Sequence, residues 1–319
     1  MFDSFIFAVN TVFPIFIIVI LGGLLKKIGL IHEGFLADSE KLVFKAALPS
    51  MLFLNITGAK GSSVFDGKYI LFCVCGTVLS FLLLCVTVPV FLKDDAKRGA
   101  FIQGAYRSNF AILGTVLAES MFGQAGVVQI SMVMPFTISL YNFFAVLILS
   151  VFAPSDKKLT RSQLLKKILK NIVTNPLIIS VVLAVIWLAV GIPVPTIMSK
   201  SLNYLSGATT VLSLIALGGN FKFSSLKGRA HLAVISAVLK TVVLPAIAVG
   251  AAIAVGYRGV ELGIIYILFS GPTAVSSYIM AKNMDSDYEL AGQILLLSTM
   301  ICVFTIFLGV FTLRYTGLI

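Results

Sequence analysis

Two stretches of this sequence place polar residues inside otherwise apolar segments. The first contains Arg107, Ser108 and Asn109, about ten residues into a segment that begins near Gly99. At about 1.5 Å per residue the arginine lies about 15 Å along a helix, near the middle of a bilayer. A charge at that depth costs several kcal/mol unless it faces a partner or a cavity. The position therefore predicts a functional site, and the cation favours an anionic ligand.

The second stretch spans residues 269–282 and reads FSGPTAVSSYIMAK. Proline removes a backbone donor and clashes with the preceding turn, so Gly271-Pro272 predicts a broken helix with free backbone groups at the membrane midplane. The rest of the chain is expected to bring the two stretches together. The candidate ligand-contacting residues of this stretch are Gly271, Pro272, Thr273, Ser276 and Ser277.

Composition indicates a polytopic membrane protein. The 319 residues are 59% hydrophobic and 12% charged, with a mean hydropathy of +1.05. The net charge of +11 resides in short loops between apolar runs, which excludes nucleic-acid binding and fits the orientation of a membrane protein. The four cysteines have neither paired spacing nor nearby histidines, so they predict packed side chains and no metal site.

Ten apolar segments follow one another, most of them long enough to span about 30 Å of hydrocarbon. Fifteen lysines and arginines lie on one side of these segments and five on the other, which makes the first side cytoplasmic and places both termini outside. The five basic residues on the other, outer side are Lys60, Lys68, Lys200, Arg258 and Arg314. The segments are residues 5–25, 36–58, 69–92, 99–121, 125–152, 176–192, 197–221, 230–256, 259–281 and 289–315.

The two halves of the chain repeat with a nearly constant offset. Pro14 and Gly29 recur as Pro176 and Gly191, and the serine pair at 62–63 recurs at 224–225. Because each half holds five segments, the second enters the membrane upside down, as in many secondary transporters. The expected units are a first repeat at 1–152, a cytoplasmic linker with an interfacial helix at 153–175, and a second, inverted repeat at 176–319.

Several motifs together resemble the auxin efflux carrier family, which includes plant PIN-formed carriers and bacterial carriers of malate or malonate. The resemblance covers the whole chain. The first matching motif is the run from Asn109 to Gly114, continued by Ser120-Met-Phe-Gly123. Further matches are Asn175-Pro176 with Trp187, Pro49, Leu217-Gly218-Gly219, and Pro272 followed by Ala281-Lys282.

The resemblance implies an all-α membrane protein of ten transmembrane helices, built as two inverted five-helix repeats in which broken helices 4 and 9 cross. It also implies a transport domain of segments 3–5 and 8–10 that moves like an elevator against segments 1, 2, 6 and 7, in a homodimer. Plant members carry proline before the crossover asparagine, whereas this chain has Arg107-Ser108. This difference predicts a less pronounced interruption of helix 4 and one more positive charge at the site.

Other polar residues within the segments have competing interpretations. Lys240 lies near mid-depth and is a candidate for complementing a substrate charge, and Asn55 is a further candidate ligand residue. Asn142 is a weaker candidate of the same kind. Glu119 is the one acid well inside an apolar segment, but about 18 Å of helix separates it from Arg107, too far for a direct pair. It is expected at the interface, with proton coupling as the alternative.

The function predicted from these residues is secondary active transport of a small organic anion. A dicarboxylate such as malate or malonate is the family-based expectation, and a monocarboxylate moved by facilitated, potential-driven transport is the alternative. The coupling ion is Na⁺ or H⁺, and no cofactor is expected. A channel or receptor is the alternative of another class, whereas an enzyme is excluded by the lack of hydrolase or metalloprotease motifs. The expected location is the plasma membrane.

Overall fold

The computed structural model describes residues 2–58, 66–152, 176–220, 230–284 and 286–319, with a few isolated positions between 153 and 175. Within these residues the structure is helical, and the β-type pairing consists of one isolated bridge. The predicted interfacial helix of the linker lies outside the described residues, as does the side chain of Asn55.

Thirteen helices are assigned within the described residues, and π-helical turns join or precede some of them. These turns are Val43–Ala47 between α2 and α3, Phe110–Gly114 before α6, and Leu239–Val243 between α9 and α10. The helices are α1 Phe2–Lys27, α2 Glu33–Leu42, α3 Leu48–Gly58, α4 Gly67–Phe91, α5 Asp95–Tyr106, α6 Thr115–Val151, α7 Pro176–Val190, α8 Thr196–Gly219, α9 Ala230–Val238, α10 Leu244–Val255, α11 Gly259–Ser270, α12 Val275–Asn283 and α13 Tyr288–Tyr315.

The chain leaves the helical conformation at both stretches singled out in the sequence. After α5, Arg107 is extended, with φ −79° and ψ 117°, and helix resumes at Phe110. After α11, Gly271 has φ −56° and ψ 143°, and α12 begins at Val275. Pro272 explains the second break because it has no amide to continue the helix. The residues between the helices thus keep backbone groups available for other partners.

A reversal at Gly123 separates the predicted fourth and fifth segments. Gly123 adopts φ 58° and ψ −141°, a conformation that residues with a Cβ rarely take. Gly126 lies so close to Ala118 that an added Cβ would fall 2.3 Å from the Ala118 carbonyl oxygen. A straight helix would separate these residues by about 12 Å. α6 is therefore a helical hairpin that folds back at Gly123.

The helices pack as two groups. α1, α2 and α3 pack with α7 and α8, whereas α4, α5 and α6 pack mainly among themselves and with α9 to α13. Contacts of α1 with α13 and of α3 with α6 join the groups. The first group thus combines the early helices of both halves of the sequence, and the second combines the later ones.

The closest helix contact in the first group joins α1 to α8. A Cβ added at Gly218 would lie 1.7 Å from the Val19 carbonyl oxygen, and one added at Gly22 would lie 2.3 Å from the Ile215 carbonyl oxygen. Such backbone approach is possible because Gly218 and Gly22 have no side chains to hold the helices apart. The pair is therefore held by direct contact between main chains.

Six helices of the described residues are long and apolar enough to cross a membrane. They are Phe2–Lys27, Gly67–Phe91, Phe110–Val151, Thr196–Gly219, His231–Val255 and Tyr288–Tyr315, and the third of these includes the reversal at Gly123. The other predicted segments correspond to shorter or interrupted helices, such as α2 with α3 and α11 with α12, each of which is too short to cross a bilayer alone. Large apolar side chains on the outer surface, including Val90 and Ile197, fit a lipid environment. The count of ten spans stays a prediction.

Candidate functional site

The two helix breaks meet. Ser108 and Thr273 form an antiparallel bridge, and the Asn109 amide donates to the Pro272 carbonyl oxygen at 2.7 Å. The Thr273 hydroxyl donates to the Gly104 carbonyl oxygen at 2.7 Å, and its amide donates to Ser298 Oγ at 3.1 Å. The backbone groups freed by the interruptions therefore bind each other and the adjacent helices, which fixes the crossing.

A cavity of about 280 Å³ lies beside this crossing. Its volume is just below the range for small-molecule sites, about 300–1,000 Å³. Most of its wall is apolar, and one cation and one acid are the charged groups among the described lining residues. The lining residues are Glu40, Phe44, Arg107, Ser108, Asn109, Ala111, Ile112, Ile138, Tyr141, Asn142, Ala274, Ser276 and Met280.

Arg107 is the cation of the cavity and is 6% exposed. Its Nη2 donates to Asn142 Oδ1 at 2.9 Å, and its Nη1 contacts Met280 Sδ at 2.8 Å. In the described part of the chain no carboxylate forms an ion pair with it. A guanidinium has five donors, so these contacts leave hydrogen-bonding capacity for a ligand. A buried cation without an acidic partner favours an anion in the cavity.

Ser108 and Asn109 bring buried polar atoms without partners to the same cavity. Ser108 Oγ and Asn109 Nδ2 have no hydrogen-bond partner among the described residues, although the two residues are 4% and 5% exposed. Leaving such groups unsatisfied costs about 1–3 kcal/mol each. A ligand with carboxylate oxygens would satisfy both.

Two helix N-termini also face the cavity. Asn109, Ala111 and Ile112 belong to the start of the helical segment after the first break, and Ala274 and Ser276 to the start of α12. The first amides of a helix have no intrahelical acceptor, and the helix dipole makes this end positive. Both ends add to the positive potential of Arg107, the arrangement that binds anions elsewhere.

Glu40 lines the cavity and was missed by sequence reasoning. It lies in α2, and its Oε1 accepts a hydrogen bond from Asn220 Nδ2 at 2.8 Å. Glu119, the acid noted within an apolar segment and expected at the interface, is exposed and does not line the cavity. Glu40 is only a few residues from the start of its segment, so position alone gives no signal that it faces the site.

The predicted site residues divide into two sets. Arg107, Ser108, Asn109 and Ser276 line the cavity, and so does Asn142. The lining does not include Thr273, whose hydroxyl and amide are engaged as described above, or Ser277, which is buried elsewhere. Gly271 and Pro272 shape the crossing through their backbone instead of reaching the cavity.

Lys240 is also away from the cavity wall. The residue is 1% exposed, and its ammonium donates to the Tyr106 carbonyl oxygen at 3.3 Å. Tyr106 is the last residue of α5, whose C-terminal carbonyls carry a partial negative charge. Lys240 therefore contacts the end of the helix that leads into the crossing, not the space where a ligand would bind.

Sequence comparisons agree with these features. A sequence model described as "Membrane transport protein" matches residues 7–309. An "Uncharacterized transporter" of Methanocaldococcus jannaschii is 25% identical over 296 residues, covering 91% of this chain and 94% of the relative. A protein of Rhizobium meliloti named "Putative malonate transporter" is 23% identical over 301 residues, covering 92% of each chain.

A third relative connects the chain to the plant carriers. The rice protein "Probable auxin efflux carrier component 1b" is 31% identical over 125 residues, covering 36% of this chain and 22% of the relative. The relatives are transporters and not enzymes, and the candidate spans make this a multi-pass membrane protein. The chain belongs to the membrane transport protein family that includes the auxin efflux carriers.

Proposed function

We propose that the protein is a secondary transporter of small organic anions whose substrate carboxylate binds in the cavity beside the crossing. One observation carries the proposal: the unpaired Arg107, two unsatisfied polar groups and two helix N-termini line the same space. Each of these features stabilises negative charge. The small volume and the apolar remainder of the wall favour a compact carboxylate such as malate or malonate.

The similarity to a protein named as a malonate transporter supports a dicarboxylate as the first substrate to test. A monocarboxylate is the second, because a single carboxylate would engage the same donors. Na⁺ or H⁺ is the coupling ion to test.

We also propose an elevator-type cycle within ten transmembrane helices arranged as two inverted repeats. The two packing groups support this division, with α4–α6 and α9–α13 as the moving part and α1–α3 with α7 and α8 as the static part. The crossing and the cavity residues it contributes would then travel with the moving group, whereas Glu40 and Phe44 would stay with the static one. The proposed setting is the plasma membrane, with both termini outside and two copies forming a homodimer.

The test is counterflow of labelled malonate and malate in proteoliposomes, with and without Na⁺. Counterflow requires a carrier, because a channel cannot exchange labelled substrate against a gradient. We expect saturable exchange by the wild type, and Arg107→Gln and Asn109→Ala should raise KM by about tenfold or more, as loss of charge-assisted hydrogen bonds predicts.

Arg258→Gln is the matched control, since Arg258 is exposed and bonds to backbone carbonyls outside the cavity. It should exchange like the wild type. Failure of folded wild-type protein to exchange any carboxylate would refute the organic-anion proposal. Equal effects of Arg107→Gln and Arg258→Gln would refute the location of the site.

A further inference from the structure

One acid is found among the described residues that line the cavity, and this acid constrains what an anion carrier can accept. Glu40 comes from α2 in the group we propose to be static, whereas Arg107 comes from the break in the other group. The two side chains line one cavity without forming an ion pair with each other. A ligand therefore meets a cation and an anion at separate positions on the wall.

The Glu40 carboxylate is held in place. Asn220 Nδ2 donates to Glu40 Oε1 at 2.8 Å and to the Ala216 carbonyl oxygen at 2.9 Å, which fixes the amide at the C-terminus of α8. Within the described residues Glu40 Oε2 has no hydrogen-bond partner. One oxygen of this carboxylate is thus positioned by the protein, and the other is available to accept a hydrogen bond from a ligand.

Among the residues that the structure describes, few other charged groups compete for Glu40. α2 packs against α8 and against the π-helical turn after it, which bring Lys200 and Lys45. Lys45 is exposed, and Lys200 lies about 30 Å along α8 from Asn220. Lys41 pairs with Asp38 on the exposed side of α2 itself. Arg107 and the Tyr141 phenol are the titratable groups that share the cavity with Glu40.

From this arrangement we infer that Glu40 selects for substrates with one carboxylate and one hydrogen-bond donor, so that a dicarboxylate is carried only in its singly protonated form. This inference rests on the proposed function. The first carboxylate binds Arg107, and a second ionised carboxylate would face the Glu40 carboxylate at close range. Two carboxylates that share a site hold one proton between them because like charges there repel strongly.

The proton moves across the membrane together with the dicarboxylate. It enters from the solution with the substrate, lies between the second carboxyl group of the substrate and Glu40 Oε2, and leaves with the substrate on the other side. Each dicarboxylate therefore moves together with one H⁺ and one net negative charge. A hydroxy monocarboxylate such as lactate needs no added proton, since its hydroxyl donates to Glu40 directly.

The test measures KM for malonate and for lactate in proteoliposomes with equal pH on both sides, between about pH 5 and about pH 8, where the second malonate proton titrates. The variants are Glu40→Gln, Glu40→Asp and, as a matched control, Glu119→Gln. Glutamine has the shape of glutamate and its amide oxygen can still accept from Asn220, so the fold should persist.

For the wild type, KM for total malonate should rise by about tenfold for each pH unit above the second pKa of malonate, because the singly protonated fraction falls by that factor. KM for lactate should not depend on pH in this way. In Glu40→Gln, KM for malonate should depend much less on pH, and KM for lactate should rise by about tenfold through loss of a charged acceptor. Glu40→Asp and Glu119→Gln should keep the wild-type profile.

A malonate profile that is flat in the wild type, or equally steep in Glu40→Gln, would overturn the role of Glu40 while leaving anion transport intact. Absence of any carboxylate exchange by the wild type would instead refute the proposed function, and this inference with it. A second measurement does not depend on the variants: malonate influx into wild-type proteoliposomes should acidify the lumen, as read by an internal pH dye. No acidification during measured influx would also overturn the inference.

Discussion

Replacing Gly271 by alanine probes how closely the two breaks pack. A Cβ at this position would lie 2.5 Å from Ser108 Oγ and 3.3 Å from the Ile267 carbonyl oxygen. The first distance is well inside van der Waals contact, so the serine hydroxyl must move, and overpacking of this kind costs about 1–3 kcal/mol. The displaced hydroxyl lines the cavity, so we expect Gly271→Ala to lower stability and to raise KM.

The expected change in KM follows from one lost hydrogen bond between the hydroxyl and the substrate, about 0.5–1.5 kcal/mol, or about twofold to tenfold. Stability is measured as the midpoint of thermal unfolding in detergent, and KM by malonate counterflow. Gly250→Ala is the matched control because Gly250 lies within α10 and an added Cβ there meets nothing within 4 Å. That variant should be as stable as the wild type or slightly more so.

A double variant separates the clash from other effects. Ser108→Ala removes the hydroxyl, and the remaining Ser108 Cβ lies 3.9 Å from the added Cβ, an ordinary contact. Gly271→Ala combined with Ser108→Ala should therefore recover most of the lost stability but not the affinity. Equal stability of Gly271→Ala and Gly250→Ala, or no recovery in the double variant, would refute this account of the crossing.

Three further substitutions test other parts of the structure. Asp94 caps α5, and its hydrogen bond with Lys97 lowers the pKa of its carboxyl group. The ionised carboxylate therefore stabilises the fold above its unfolded pKa of about 3.9, and this stabilisation is lost as pH falls through the lower folded value. In Asp94→Asn, the thermal unfolding midpoint should fall less than in the wild type between about pH 5 and about pH 2. Gly123→Ala should lower the free energy of unfolding by about 1–3 kcal/mol in thermal or denaturant unfolding, although nothing crowds the site, because the backbone there suits only glycine. Lys240→Gln, which does not alter the cavity wall, should change KM in malonate counterflow much less than Arg107→Gln does, and an equal change would place Lys240 at the ligand.

The two helix breaks differ in how far the local sequence predicts them. Pro272 cannot continue a helix, whereas the break at Arg107 was expected from the family resemblance, because the arginine and its two polar neighbours indicated a site and not an interruption. The boundary near residue 123 followed from segment lengths, although the positive φ of Gly123 had no separate signal. These features depend on a few adjacent residues and on the dimensions of a bilayer.

Other features depend on contacts between distant parts of the chain. Glu40 reaches the cavity where Asn220, 180 residues away, binds its carboxylate, and no local pattern encodes that pairing. Thr273 and Ser277 resemble ligand residues in sequence, yet the Thr273 hydroxyl donates to the Gly104 carbonyl oxygen and Ser277 is buried outside the cavity lining. Lys240 likewise contacts the end of α5 because α9 and its π-helical turn pack against that helix.

The glycine contact between α1 and α8 bears on how the protein can move. Where the Gly218 and Val19 main chains touch, one helix cannot slide along the other without first separating from it, since neighbouring residues carry side chains that would collide. We therefore expect these two helices to keep a fixed register throughout a transport cycle. A disulfide engineered across this contact should leave turnover unchanged, whereas one that joins α3 to α6 should arrest it.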